Sequence, residues 1–136
     1  MKKSIRKSGK KFKTMKKIYY RKLIRDKIPE KIINRGSQLE TCRLSKVEFL
    51  KELLKKAGEE SGELFLKSKG KKEIVEEIAD VLDVIDEILK LKKITPKQIA
   101  DQKKKNLEKK GGFEKRLFLV WSSDDGYKTN GRLGRK

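Results

Sequence analysis

The chain has 136 residues and one cysteine, Cys42, so it is long enough for one domain with a modest core and cannot form an intrachain disulfide. It contains no histidine, which excludes histidine-based zinc sites and Ser-His-Asp or Cys-His catalysis and leaves proton transfer to carboxylate or lysine. Its formal net charge of +19, with 43% charged residues, points to an anionic partner: a phosphorylated metabolite, a nucleic acid or an acidic surface.

Residues 1–17 hold nine Lys or Arg and no acid. They are polar and aperiodic and read as a disordered basic extension through which nucleic acid binding is conceivable. Met15 offers an alternative start. Residues 18–26 lead into Pro29, which fits the first turn of a short helix ending at Gly36. Residues 38–44 alternate weakly and suggest a short strand. Ser45 and Glu48 form the S-x-x-E pattern of a capping box, opening a helix that runs to about Lys69 and stops at Gly70. A second long helix is expected over 72–91. Thr95, Pro96 and Gln98 signal a third start, and Gly111-Gly112 ends that helix. Residues 115–121, KRLFLVW, are β-rich and read as a strand able to pair with 38–44. The tail, 122–136, is Gly-rich, polar and basic, and reads as flexible. No stretch approaches the ~20 apolar residues of a membrane span, and the N-terminus lacks the apolar run of a signal peptide. The expectation is a cytoplasmic protein without membrane association.

Two carboxylate pairs stand out: Glu60-x-x-Glu63 and Glu77-x-x-Asp80, with thirteen residues between them. Residues three apart share a helix face, so each pair presents two carboxylates side by side. If the two helices fold back around Gly70, the four acids converge. At about 100° per residue, Glu60 falls within the apolar arc of Leu50, Leu53, Ala57 and Leu64, with Glu63 at its edge. Glu77 falls within the arc of Ile74, Ile78, Val81, Val84, Ile85 and Ile88, with Asp80 on its border. A clustered, partly buried set of carboxylates calls for a cation, and oxygen ligands suit Mg2+ or Mn2+. Against this stands the ordinary reading of an E-x-x-E pair in a highly charged chain, a solvated helix face paired with lysine.

The order of these motifs resembles the MazG-like all-α nucleoside triphosphate pyrophosphatases, relatives of dimeric dUTPases and phosphoribosyl-ATP pyrophosphohydrolase. Three segments strengthen the resemblance: YYRKLIRDKIPEKI at 19–32, EEIADVLDVIDEI at 76–88 and KKGGFEKRLFL at 109–119. They are similar to signatures of a phage and archaeal subgroup, and the resemblance spans about 18–121. It implies a mainly α protein, a MazG-like helical bundle with a short two-stranded β element. It implies Mg2+, with Mn2+ as a substitute, held by Glu60, Glu63, Glu77 and Asp80, and Glu59 orienting or activating water. It also implies a homo-oligomer, dimer or tetramer. The activity implied is hydrolysis of the α–β phosphoanhydride of a nucleotide substrate to a nucleoside monophosphate and pyrophosphate, as in a house-cleaning enzyme.

Phosphoryl chemistry needs positioning and positive charge. Lys22, Arg25 and Lys27 near the N-terminus, and Lys110 and Arg116 around the Gly pair, are the candidates for substrate binding. Asn106 joins them beside Leu107, although a hydrogen bond within the helix explains it equally well. Phe49 and Phe65 read as core, and Tyr19, Tyr20 or Phe113 could stack on a base. Three alternatives compete with the pyrophosphatase. One is a basic, non-specific nucleic-acid-binding protein, which leaves the seam carboxylates unexplained and shows no recognised nucleic-acid motif. Another is phosphoribosyl-ATP pyrophosphohydrolase itself. The last is a helical interaction protein with a decayed site, against which every expected ligand is present.

Overall fold

The computed structural model describes residues 2–5, 16–67, 70–125, 128–129 and 132–133. The protein is mainly α, with two short two-stranded β elements. It divides into two compact units, Met1–Thr95 and Pro96–Lys136.

In the first unit, the helix α1 (Ile28–Asn34) begins with Pro29 in its first turn. It ends as expected at Gly36, whose φ of 83° lies in the left-handed region that glycine accepts without strain. The Gly36 and Ser37 amides donate to the carbonyls of Ile33 and Ile32 and close the helix. The strand expected within 38–44 is present as Leu39–Cys42. Its partner is not 115–121. It pairs antiparallel with Lys2–Ile5, here named β1, in the register Lys2↔Cys42 to Ile5↔Leu39. Leu39–Cys42 is accordingly β2. Part of the extension expected to be disordered is thus a strand; residues 6–15 of that expectation lie outside the described residues.

Two long helices follow, α2 (Lys46–Lys67) and α3 (Lys71–Leu91), joined by a three-residue connection at Gly70. They pack against each other as a helical hairpin. Leu53 of α2 and Val84 of α3 are its buried hydrophobic residues, and Leu50, Ala57, Leu64, Val81, Ile85 and Ile88 are half-buried along the same seam. The seam is open at the Gly70 end. There Ile74 and Ile78 are exposed, although they continue the apolar arc of α3. Phe65, expected in the core, is 86% exposed. It follows Leu64 by one residue, about 100° round the helix, and so points off the seam.

The second unit opens with α4 (Pro96–Lys110), exposed along its whole length. Gly111, at φ 79°, donates to the Leu107 carbonyl at 2.9 Å and ends it. Residues 116–122 have no regular structure, and Leu117 to Trp121 are exposed. The strand expected there does not form. Strand propensity mostly expresses side-chain packing against neighbours, and this segment is solvated. The tail instead carries two short strands, β3 (Lys128–Thr129) and β4 (Arg132–Leu133), paired antiparallel.

The capping box at the start of α2 is complete. Glu48 N–H donates to Ser45 Oγ at 3.2 Å, while Ser45 N–H and Oγ–H both donate to Glu48 Oε1, at 3.2 and 2.9 Å. These donors, the backbone one first, hold the Glu48 carboxyl below its ordinary value. A lowered carboxyl contributes stability above the unfolded-state value and loses it as pH falls through the folded-state value. Ser45→Ala should therefore lower the thermal midpoint at neutral pH. The difference from the parent protein should shrink as the buffer is acidified through the carboxylate range.

Candidate metal and phosphate site

The α2–α3 hairpin brings three of the four expected ligands together. Glu60 from α2 and Glu77 and Asp80 from α3 each offer a carboxylate oxygen, and these oxygens lie within 4.8 Å of one another. All three residues are half-buried. The fourth acid, Glu63, stands one turn further along α2, about 4.5 Å up the helix axis. It is outside the triad, half-buried, with its Oε2 shielded from solvent. Glu59 is exposed, because the helix turns it about 100° away from Glu60.

Carboxylate oxygens are the donor type that a hard divalent cation takes. Mg2+ binds oxygen at about 2.1 Å, so two of its ligands are about 3 Å apart when adjacent and about 4.2 Å apart when opposite. Small side-chain adjustments would bring the triad into that range. Glu60, Glu77 and Asp80 would be the protein ligands, leaving room for water or phosphate oxygens, as Mg2+ sites commonly do.

Three basic residues share a cleft with two of these acids, Glu60 and Asp80. A cleft of about 280 Å³ is lined by Lys22, Leu23, Ile24, Arg25 and Ile28 from the N-terminal segment, Lys56 and Glu60 from α2, and Asp80 from α3. Arg25 bridges two acids of α3, donating from one guanidinium nitrogen to Asp83 Oδ2 at 2.8 Å and from the other to Asp80 Oδ1 at 3.2 Å. The bond to Asp83, and then the charges of Asp83, Asp80 and Glu60, raise the Arg25 guanidinium above its already high ordinary value. It is a permanent cation here. Lys56 Nζ lies 3.5 Å from Glu60 Oε1.

Of the other expected substrate-binding residues, Lys27 is exposed and caps α1 without lining the cleft. Asn106, Lys110 and Arg116 belong to the second unit and are exposed. Asn106 Oδ1 accepts a hydrogen bond from Gln102 Nε2 at 3.0 Å, the within-helix alternative. Arg116 sits at φ 54° in a turn, its amide donating to the Phe113 carbonyl at 3.1 Å. Tyr19, one of the aromatics able to stack on a base, carries the Arg21 guanidinium 5.3 Å from its ring centre.

Sequence reasoning passed over Lys56 and Asp83. Both were within reach of helical spacing. Lys56 precedes Glu60 by four residues and follows Leu53 by three, so it shares the seam face. Asp83 follows Asp80 by three. Compared with known protein families, curated proteins and solved structures, the chain matches none.

Proposed function

We propose that the protein is a Mg2+-dependent nucleoside triphosphate pyrophosphatase of MazG-like type, cleaving the α–β phosphoanhydride. The observation that carries this reading is the placement of Glu60, Glu77 and Asp80 beside a cleft lined by Lys22, Arg25 and Lys56. Acids of this kind hold cations and bases of this kind hold phosphates, and here Glu60 and Asp80 of the triad line one cleft with the three bases. When bound, a divalent cation would neutralise phosphate charge and favour hydroxide formation from water.

The remaining work falls to the chain itself. Lys22 and Arg25 offset charge on the phosphate chain and fix its position over the carboxylates. In the reaction a water oxygen bonds to the α-phosphorus, and the bond from that phosphorus to the α–β bridging oxygen breaks. Pyrophosphate leaves with the bridging oxygen. The water proton passes to a carboxylate or to solvent, since the chain has no histidine to take it.

The exposed apolar end of the hairpin supports a homo-oligomer, dimer or tetramer, as the assembled form. Phe65, Leu66, Ile74 and Val75 flank the Gly70 connection and are exposed together. A second copy would cover them. Sedimentation should show an assembly larger than the 15.9 kDa chain, and Phe65→Lys with Val75→Glu should shift it towards monomer. A monomeric parent protein would refute this part.

Incubation with a panel of NTPs and dNTPs should release pyrophosphate in the presence of Mg2+ or Mn2+ and none with EDTA. Orthophosphate as the first product would speak for a different reaction, and phosphoribosyl-ATP as sole substrate for the biosynthetic alternative. Loss of outer-shell groups around a metal costs about 10–100-fold, so loss of a ligand, as in Glu60→Gln or Asp80→Asn, should cost at least about 100-fold. Glu87→Gln is the control, since Glu87 pairs with Lys90 at 3.2 Å outside the cluster. An equal loss in that variant would sink the ligand assignment.

A further inference from the structure

The cations of the cleft hold the same oxygens that a metal ion would need. Arg25 donates to Asp80 Oδ1, and Lys56 approaches Glu60 Oε1. Lys56 is not an ordinary helix-surface lysine. Its side chain is 20% exposed and that of Glu60 19%, whereas the lysines of the comparable pairs Lys90–Glu87 and Lys97–Asp101 are 76% and 83% exposed. Exposed pairs contribute little and are readily exchanged, but a shielded ammonium must keep an anionic partner.

We propose that Arg25 and Lys56 are exchangeable counter-ions of the metal ligands, which pass to the phosphate chain of the nucleotide when a divalent cation takes Asp80 and Glu60. This rests on the reading that cation and phosphate share this cleft. A cation on those oxygens displaces the guanidinium and the ammonium from their partners and repels them. Both groups line the cleft; Lys56, 20% exposed, needs a new anion there, whereas Arg25, 57% exposed and still held by Asp83, is free to offer one prong to a phosphate. Asp83 is the positioning residue in this exchange. Its 2.8 Å contact uses the other guanidinium nitrogen, so Arg25 stays anchored at the cleft after giving up Asp80.

The charge balance favours the same coupling. The ionisable groups that line the cleft, Lys22, Arg25 and Lys56 against Glu60 and Asp80, sum to a formal +1. A divalent cation on those acids raises the balance to +3, which favours a polyanion further. Metal and phosphate chain each prepare the cleft for the other, and the coupling is reciprocal.

The test is Mn2+ affinity, followed by water-proton relaxation with and without methylenediphosphonate, a non-hydrolysable diphosphate whose own Mn2+ complex is titrated in parallel. For the parent protein the diphosphonate should tighten Mn2+ binding by about 5–150-fold, the usual range of such couplings. Arg25→Gln and Lys56→Met should bind Mn2+ alone more tightly than the parent, with the enhancement reduced below about threefold. Asp83→Asn, which removes the anchor of Arg25, should weaken the enhancement. Arg25→Lys, which keeps the charge but not the two-pronged bridge, should fall between. Circular dichroism confirms that each variant is folded, and the two single variants test the exchange at separate contacts. Parent-like Mn2+ affinity and enhancement in both Arg25→Gln and Lys56→Met would overturn the exchange while leaving the metal site standing, provided Glu60→Gln still abolishes binding. Absence of Mn2+ binding by the parent protein in both conditions would overturn the site and the exchange together.

Discussion

The rest of the site depends on the repulsion between carboxylates held across the α2–α3 seam. At 4.8 Å two like charges repel by about 1 kcal/mol in water and by about 3–4 kcal/mol at the effective dielectric of a protein surface. Glu60, Glu77 and Asp80 form three such pairs. That is too much to leave uncompensated in a hairpin whose described core contains Leu53 and Val84 as its buried hydrophobic residues. Cations must therefore gather at the seam, and the chain supplies two, Arg25 and Lys56. Their presence explains how the acids can sit half-buried. It also defines what any metal ion has to displace.

The supply of those cations follows from local structure. Lys56 is placed by the α2 helix itself, one turn before Glu60. Arg25 comes from the irregular segment ahead of α1, where its carbonyl accepts from the Ile28 amide at 3.0 Å and starts the turn into the helix. Pro29 then sets the helix direction. A loop residue reaching rigid helices is a common way to build a site, because the scaffold fixes one partner and the loop can adjust the other. Leu23, Ile24 and Ile28 line the same cleft and contribute its apolar wall. Of the cleft cations Lys56 is half-buried, while Lys22 and Arg25 are exposed, like most of the described lysines and arginines.

Much of this was legible in the sequence. The capping box at Ser45 and Glu48, Pro29 in α1, and the glycines at 36 and 111 are local signals, and each marks the end or start it names. The 3.6-residue periodicity located the seam and placed Glu60, Glu77 and Asp80 on it. Phe65 shows the limit of that reading, since a large apolar residue one place off the stripe is not carried into the core. The segment 115–121 shows another. Its residues favour a strand, yet strands need partners, and the partner for β2 came from Lys2–Ile5, which composition alone marks as a solvated basic run.

By itself the sequence determined the helices, their ends and the faces on which the acids lie, because these depend on neighbours within a few residues. By omitting histidine and holding a single cysteine, it also excluded histidine-based sites and an intrachain disulfide. Tertiary structure alone decided which acids meet. Glu63 shares a helix face with Glu60 but stands a turn further along and lies outside the triad. Tertiary structure alone also decided which of 39 basic residues face the acids. Arg25 is separated from Asp80 and Asp83 by more than fifty residues. No local pattern encodes a contact across that distance; it exists because the hairpin presents both aspartates to the segment that precedes α1.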